Sequence, residues 1–268
     1  MTRVVCAQLA PVIGDLSANA GTSTAAVEAA AADGADLIVL PELVTSGYVF
    51  SSAAEARSLA IPPGSPLLAD WGRAAGNATV VGGFCEAGDD GRVYNSAAVV
   101  DRSGVLAVYR KTHLWDAEGT AFSPGTAAPP VVETAAGRVG VLICYDMEFP
   151  EMTRGLALAG ADVLAVPTNW PLMPRPDGER PGEVVTAMAA ARANRVYLAC
   201  CDRTGVERGQ SWTEGTSIVD PDGWVLATAG PGVASIAVDV DLGAARRKTI
   251  SDVNDVLADR RTDVYRQF

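Results

Sequence analysis

The chain has 268 residues, of which 49% are hydrophobic, and a formal net charge of −11 from 21 basic and 32 acidic residues. This length and composition predict one globular domain, 1–268, with a large apolar core. The acidic balance argues against nucleic acid as a partner, because binding to its phosphates requires clustered lysines and arginines. Because we find no 18-residue apolar run and no signal-peptide pattern, we expect no membrane association and a cytoplasmic location.

Cysteine and histidine usage narrows the possible chemistry. The five cysteines are an odd number without CxxC spacing, which indicates reduced thiols. His113 is the only histidine, so a histidine-based zinc site is excluded, and a histidine-dependent hydrolase would have to use this residue as its base. The sequence also lacks a glycine-rich phosphate loop. We therefore predict no metal and no cofactor.

Apolar strand-like runs alternate with alanine-rich helical stretches. The first half predicts strand Val4–Leu9, helix Ser17–Asp33 capped by Ser17, strand Asp36–Leu40, helices Ala53–Leu59 and Pro66–Ala75, and strands Thr79–Phe84, Val93–Val100 and Val105–Arg110. The second half predicts strand Arg138–Ile143, helix Phe149–Gly160, strand Asp162–Val166, helix Glu183–Asn194, and strands Val196–Cys201, Thr216–Val219, Trp224–Ala227 and Ala234–Val240.

The two halves resemble each other, which indicates an internal repeat. Gly34–Glu42 is similar to Gly160–Thr168, and Ser96–Ala107 is similar to Thr216–Ala227. Two mixed sheets, each with helices on one face, would bury their bare faces against each other. The predicted fold is an α/β four-layer α-β-β-α sandwich of two mixed sheets with an internal pseudo-twofold repeat. The irregular stretch Pro171–Gly182 is predicted to form part of a pocket rim.

Cys144 lies where the apolar run Arg138–Ile143 meets a helix-like segment. This pattern predicts a thiol at the carboxyl end of a buried strand, facing the free backbone N–H groups of a helix start. Such a helix end lowers the pKa of a thiol and can stabilise an oxyanion, which suits a nucleophile. A cysteine buried in the core is the alternative interpretation.

Two more reactive side chains follow predicted strands. Glu42 comes after Asp36–Leu40, and Lys111 comes after Val105–Arg110. Sites in open α/β sheets lie beyond the carboxyl ends of the strands, so we expect both residues near Cys144. A thiol, an ammonium group and a carboxylate can attack, polarise and transfer protons without a histidine.

These residues lie in three ordered motifs. The motifs are Leu40-Pro41-Glu42 with Ser46-Gly47-Tyr48, then Arg110-Lys111-Thr112-His113-Leu114 continuing through Glu118 to Phe122–Gly125, then Cys144-Tyr145-Asp146 with Phe149-Pro150-Glu151. They resemble the glutamate, lysine and cysteine motifs of the nitrilase superfamily of carbon–nitrogen hydrolases. The resemblance extends from Val4 to about Gly230 and implies a nitrilase-like fold.

The resemblance and the chemistry assign the same catalytic roles. Cys144 would attack the amide carbonyl and form a thioester as ammonia leaves. Glu42 would act as general base, while Lys111 and the backbone N–H of Tyr145 would hold the oxyanion. Glu118 corresponds to the second glutamate of the family, which positions the lysine and the substrate amide.

Two electrostatic questions stay open at this level. Burial would raise the pKa of Glu42, whereas the neighbouring Lys111 would lower it, and the sequence does not say which effect is larger. For His113, two positions after Lys111, we expect a structural hydrogen-bonding role.

The substrate is predicted from residues near the cysteine motif. The Cys-Tyr-Asp pattern is similar to the amidase branches, whereas true nitrilases often have Cys-Trp-Glu. Many relatives carry arginine at the position of Glu148, so an acid here favours a neutral or cationic amide such as 5-aminopentanamide. A salt bridge between Glu148 and Arg154 or another basic residue is the structural alternative. Tyr48, Asn169 and Trp170 are predicted to line the pocket with Tyr145 and Glu148, and packing of Trp170 in the core is the alternative for that residue.

Two other functions stay open. One is a carbamoylase of the same family, which hydrolyses N-carbamoyl amines or amino acids, and the other is a catalytically silent binding protein. The resemblance implies a homodimer or a larger homo-oligomer. The polar tail 244–268 belongs to neither repeat, and we predict that it lies at a subunit interface.

Overall fold

The structure is a computed structural model that describes residues 1–267 of the chain. Its first half contains β1 (Thr2–Gln8), α1 (Leu16–Ala32), β2 (Leu37–Val39), α2 (Ala53–Leu59), α3 (Pro66–Ala74), β3 (Thr79–Ala87), β4 (Val93–Asp101) and β5 (Gly104–Arg110). The second half contains β6 (Val131–Thr134), β7 (Gly137–Val141), α4 (Pro150–Leu158), β8 (Val163–Pro167), α5 (Gly182–Asn194), β9 (Tyr197–Cys201), β10 (Val206–Glu207), β11 (Gln210–Ser211), β12 (Ser217–Val219), β13 (Val225–Thr228), β14 (Ala234–Val240), α6 (Leu242–Arg246) and α7 (Thr262–Tyr265).

These strands form two six-stranded mixed sheets with matching topology. The first has the order β14-β1-β2-β3-β4-β5 and the second, read from its equivalent edge, β6-β7-β8-β9-β12-β13. In each sheet three parallel strands follow an antiparallel edge strand, and two antiparallel strands complete the sheet. The predicted repeat is therefore confirmed, although the edge of the first sheet comes from the last strand of the chain.

Alternating side chains of the strands build the layers, because successive residues of a strand point to opposite faces of its sheet. On β1, Val4 and Cys6 pack in the core between the two sheets, where Val139 of β7 also lies. Val5, the residue between them, packs with Trp71 of α3 under the helices. The four-layer sandwich is thus confirmed.

The structure corrects three local predictions. The N-cap of α1 is Asp15, which accepts a hydrogen bond from Ala18 N at 2.9 Å, and the prediction of Ser17 was wrong. Strand β6 and the small β10–β11 hairpin were not predicted, because both are too short to show a period. The segment after Cys144 begins as a short 3-10 helix, Cys144–Glu148, before α4.

Part of the C-terminal segment 244–268 packs against the domain of its own subunit. Arg246 pairs with Asp162 at 3.1 Å, and Lys248 Nζ donates to Arg195 O at 2.8 Å. A role of 244–268 at a subunit interface stays a prediction.

All five cysteines are free. None of the helices in residues 1–267 has the length and apolar composition needed to cross a membrane.

Candidate active site

A buried lysine shared by two carboxylates lies at the centre of the site. Lys111 Nζ donates to Glu42 Oε1 at 2.7 Å and to Glu118 Oε1 at 2.9 Å. The side chains of Lys111 and Glu42 are 0% exposed, and that of Glu118 is 3% exposed. One ammonium group between two carboxylates leaves a net negative charge away from water, which is costly in a folded protein. Clusters of this kind are therefore candidates for functional sites.

Contacts between the ends of the two sheets hold this cluster in place. The N–H of Glu42, after β2, donates to Thr168 O at 3.3 Å, and Asn169 Nδ2, after β8, donates to Glu42 O at 2.8 Å. The N–H of Lys111, after β5, donates to Asn95 O of β4 at 2.8 Å. The carboxyl ends of β2 and β8 thus meet, as the general rule for α/β sheets predicts.

Cys144 lies at a sharp turn after β7 and is 5% exposed. Its φ of +46° is in the left-handed region, which costs a non-glycine residue about 1–3 kcal/mol. The following Tyr145 N–H has no hydrogen-bond acceptor among residues 1–267. The turn therefore leaves a free backbone donor directly after the thiol, as an oxyanion site requires.

Asp146 anchors this turn to the segment that carries the lysine. Its carboxylate accepts hydrogen bonds from Tyr109 OH at 2.8 Å and from the backbone N–H of His113 at 3.0 Å. His113 Nδ1 lies 2.8 Å from Asp146 Oδ1, and the His113 ring stacks on Phe149 with centroids 3.6 Å apart. These contacts fit the structural role that we expected for His113.

Burial controls the protonation of the cluster. Desolvation raises the pKa of Glu42 to about 7, although Lys111 opposes this shift. Desolvation alone would lower the pKa of Lys111, but the two carboxylates outweigh it and hold that pKa well above its usual value. Burial, and then the charge of Glu42, raise the pKa of the Cys144 thiol well above its usual value. The net shift is therefore opposite to the lowering that we expected from a helix end, and the thiol needs a base to ionise.

A pocket of about 160 Å³ adjoins the cluster. Five aromatic side chains line it: Tyr48, Phe50, Trp115, Phe122 and Trp212. Its only charged lining residues in the described part of the chain are Asp116 and Glu118. The walls are therefore apolar and aromatic, and the charge that they carry is negative.

Tyr48 and Tyr145 take different places around this pocket. Tyr48 lines it, with its hydroxyl next to Glu118. The Tyr145 ring lies outside the wall. It packs edge-on against Trp115, a residue of the wall, with ring centroids 4.9 Å apart. Of the irregular stretch Pro171–Gly182, only Pro171 lines the pocket.

Asn169 and Trp170 also differ in their surroundings. Asn169 is fully buried, and its backbone N–H faces the Cys144 thiol. Trp170 is 3% exposed and belongs to the core between the sheets. Neither residue is part of the pocket wall within residues 1–267.

The structure does not bring Glu148 to the pocket. Its side chain is exposed, and its carboxylate lies 3.4 Å from Thr186 Oγ1 of α5. Arg154 donates instead to the carbonyls of Ala193 and Val256, so the alternative salt bridge is absent from the described residues as well. Glu148 therefore gives no reason to prefer a cationic substrate.

Known proteins are similar to this chain in sequence and in fold. Residues 3–248 match the family model described as carbon-nitrogen hydrolase. This chain belongs to the carbon–nitrogen hydrolase family. It is 37% identical to a nitrilase of Pyrococcus abyssi over 99% of both chains. It is also 37% identical to an (R)-stereoselective amidase of a Pseudomonas species, over 97% of this chain and 91% of the other.

Solved structures of an amidase have a similar fold. The amidase of Nesterenkonia sp. AN1 matches with a TM-score of 0.82 and 28% identity, covering 100% of this chain and 99% of that one. One variant of that amidase carries acrylamide added to its active-site cysteine, and another is in complex with butyramide. The chain is therefore an amidase-type hydrolase of carbon–nitrogen bonds other than peptide bonds, with a cysteine active site.

Sequence reasoning missed residues that support the hydrolase pocket. Glu207 accepts hydrogen bonds from the backbone N–H groups of Tyr48 at 2.7 Å and Val49 at 2.6 Å. It also pairs with Arg203, whose guanidinium lies 4.5 Å from the Trp212 ring centroid. Arg203 and Glu207 thus hold two aromatic walls. Their i,i+4 spacing alone would indicate only a surface ion pair.

Gly83 allows the backbone of the hydrolase to approach itself closely at the site. A Cβ on Gly83 of β3 would lie 2.5 Å from Glu42 Cα. We expect Gly83→Ala to destabilise the fold by about 1–3 kcal/mol. We also expect kcat/KM for amide hydrolysis to fall about 10- to 100-fold, because the base is displaced. Urea unfolding and ammonia release measure the two effects.

The matched control is Gly21→Ala in α1, where a Cβ would meet nothing within 4 Å. This change should leave activity intact and stabilise the helix slightly. Full activity of Gly83→Ala would show that the base does not depend on this close approach.

Proposed function

We propose that this enzyme hydrolyses small-molecule carboxamides to carboxylates and ammonia through a thioester on Cys144. The main support is Glu42 Oε2, a fully buried carboxylate oxygen without a hydrogen-bond partner among residues 1–267. Buried acceptors without partners are rare in folded proteins. An oxygen that accepts a proton during catalysis accounts for this one.

Acylation begins with proton transfer from the Cys144 thiol to Glu42. The sulfur then attacks the amide carbonyl carbon, and the carbonyl π electrons move to oxygen to form a tetrahedral oxyanion. Glu42 returns its proton to the amide nitrogen, the carbon–nitrogen bond breaks, and ammonia leaves. The product of this half-reaction is a thioester between the acyl group and Cys144.

Deacylation repeats the same transfers with water. Glu42 takes a proton from water as the oxygen attacks the thioester carbonyl, and the resulting adduct expels the thiolate. The thiolate recovers a proton from Glu42, and the carboxylic acid product ionises as it leaves. A base with a pKa near 7 suits both directions of transfer.

Two donors are available for the oxyanion. The Lys111 ammonium group has three N–H bonds, of which Glu42 and Glu118 each take one, so a third remains. The Tyr145 N–H is the second donor. Glu118 also accepts the Trp115 N–H at 2.7 Å, which fixes its carboxylate and hence the lysine. We therefore assign Glu118 a positioning role.

For the substrate we propose a small neutral or cationic amide, with 5-aminopentanamide as the cationic representative. The support is the pocket wall, since aromatic faces attract an ammonium group and a negative charge repels a carboxylate. Asp116 lies in this wall and has no ion-pair partner among residues 1–267. We propose that Asp116, and not Glu148, senses the distal charge of the substrate.

A substrate panel tests this proposal. Ammonia release is measured with pentanamide, 5-aminopentanamide, glutaramate, N-carbamoyl compounds and nitriles. Turnover of pentanamide and 5-aminopentanamide, with glutaramate slowest, is the expected result. Preferred turnover of N-carbamoyl compounds would indicate a carbamoylase, and no ammonia from any substrate would indicate a silent binding protein.

Asp116→Asn tests the charge sensor. We expect the ratio of kcat/KM for 5-aminopentanamide to that for pentanamide to fall about 2- to 5-fold, the size of a partly exposed charge interaction. Glu148→Gln is the matched control and should leave this ratio unchanged. An unchanged ratio in Asp116→Asn, or a fall in Glu148→Gln, would contradict the assignment.

A further inference from the structure

Asn95 donates hydrogen bonds to both carboxylates of the site, as Lys111 does, but it carries no charge. Its Nδ2 donates to Glu42 Oε1 at 2.7 Å and to Glu118 Oε1 at 2.9 Å. Lys111 Nζ donates to the same two oxygens. Two acceptor oxygens and two donor nitrogens thus form a closed four-membered ring of hydrogen bonds. Asn95 is 0% exposed, so water does not compete for these contacts.

We propose that Asn95 is a positioning residue that saturates Oε1 of both glutamates and so leaves Oε2 of Glu42 as the proton-accepting atom. Oε1 of Glu42 receives two donors, while Oε2 receives none among the described residues. A carboxylate held at one oxygen by two donors cannot rotate without losing both bonds. The free oxygen therefore keeps one direction throughout the reaction.

The chemistry of the side chain suits this task. An amide NH₂ group supplies two donors without adding a charge, whereas a second ammonium group would neutralise the cluster. A neutral donor leaves Glu42 with enough basicity to take a proton from the Cys144 thiol. The backbone of Asn95 also holds the backbone of the lysine, since the Asn95 backbone carbonyl accepts the Lys111 backbone N–H at 2.8 Å.

Several other groups act on the charge of Glu42. Lys111 and Glu118 lie in the ring, and the Cys144 thiol and the Tyr48 hydroxyl lie near it. Arg203, on the segment after β9, is a further cation that interacts with Glu42. The Asn95 variants keep all of these side chains, and the hydrogen bonds that they remove are those to Glu42 and Glu118.

The inference rests on the proposed function, because it assumes that Glu42 is the base. The experiment measures the pH dependence of kcat/KM for an amide that the wild-type enzyme hydrolyses, in the variants Asn95→Ala and Asn95→Asp. Loss of a donor that favours the charged carboxylate raises the pKa of Glu42, and a third carboxylate raises it further. We expect the acidic limb of the profile to move to higher pH by about 0.5–1 unit in Asn95→Ala and by more in Asn95→Asp.

The expected kinetic signature is a fall in kcat of about 10- to 100-fold with little change in KM, because the base is misdirected while the pocket is intact. Asn194→Ala is the matched control. Asn194 is also a buried asparagine, which donates to Thr153 Oγ1 and Ala190 O away from the site. Its variant should lose stability without moving the acidic limb.

An acidic limb at the wild-type pH in both variants would overturn the inference. If one variant fails to fold, the other decides. A measurement without turnover also decides: the pH range over which Glu42→Gln changes the unfolding free energy should move upward in the Asn95 background. Failure of the proposed function looks different, since the wild type would then release no ammonia or Glu42→Gln would retain full activity.

Discussion

Replacing Cys144 with alanine is expected to reduce amide hydrolysis by at least about 10⁴-fold, because no other group of the site can form the acyl intermediate. The protein should stay folded, since the change removes one sulfur atom from a turn with a positive φ. Ammonia release measures the loss. A second measurement detects the thioester directly: with hydroxylamine present, the wild type should convert part of the substrate to a hydroxamate and the variant should not.

The matched control is Cys6→Ala, which removes a thiol that is also buried but lies on β1 in the core between the sheets. Cys6→Ala should lower the free energy of unfolding by about 1 kcal/mol and leave kcat/KM within about twofold of the wild-type value. Retained ammonia release by Cys144→Ala would refute the assignment of the nucleophile. A comparable loss in Cys6→Ala would mean that activity depends on core packing instead.

Replacing Glu42 with glutamine is expected to reduce kcat by about 10²- to 10⁴-fold, the range of a lost general base. Glutamine keeps the shape of the side chain but cannot take the thiol proton. In the wild type, kcat/KM should rise with pH through an apparent pKa near 7, because Glu42 must lose its proton to act as base. A wild-type profile without an acidic limb between pH 6 and 8 would contradict this role.

Glu42 also affects the free energy of unfolding, which should fall with pH over the range in which kcat/KM rises. The pKa of Glu42 is about 7 in the folded protein and 4.5 as its ordinary value, so the folded state binds more protons between these pH values. Stability due to this group therefore falls as pH rises from about 4.5 to about 7. Urea unfolding should show that Glu42→Gln gains stability relative to the wild type over this range.

The positions of the reacting residues could be predicted because strand ends carry local signals. Pro41 stops the apolar run of β2, and the residue after it is Glu42. The apolar run of β7 and the Pro150 that begins α4 bracket Cys144 in the same way. Alternating strands and helices then predict parallel strands whose carboxyl ends meet at one edge, and the sandwich that the structure confirms.

The partners of these residues depend on register, which has no local signal. A β-bulge between Val99 and Val100 shifts the pairing of β4 with β5 by one residue. Without this shift Asn95 would stand opposite Arg110, and its backbone carbonyl would not pair with the Lys111 N–H. Glu148 gives the converse case, since its position near Cys144 in the chain suggested a pocket residue, whereas the 3-10 helix turns it toward α5.

The sequence by itself determined the family, the order of the elements and the candidate residues Glu42, Lys111 and Cys144, because each depends on patterns within a few neighbouring positions. The tertiary structure decided which atoms meet and how they are charged. Glu42 and Lys111 lie 69 positions apart in the chain, yet their side chains are 2.7 Å apart and fully buried. Desolvation of a carboxylate and a thiol depends on everything packed around them, so only the folded chain could show that burial raises the pKa of both Glu42 and Cys144.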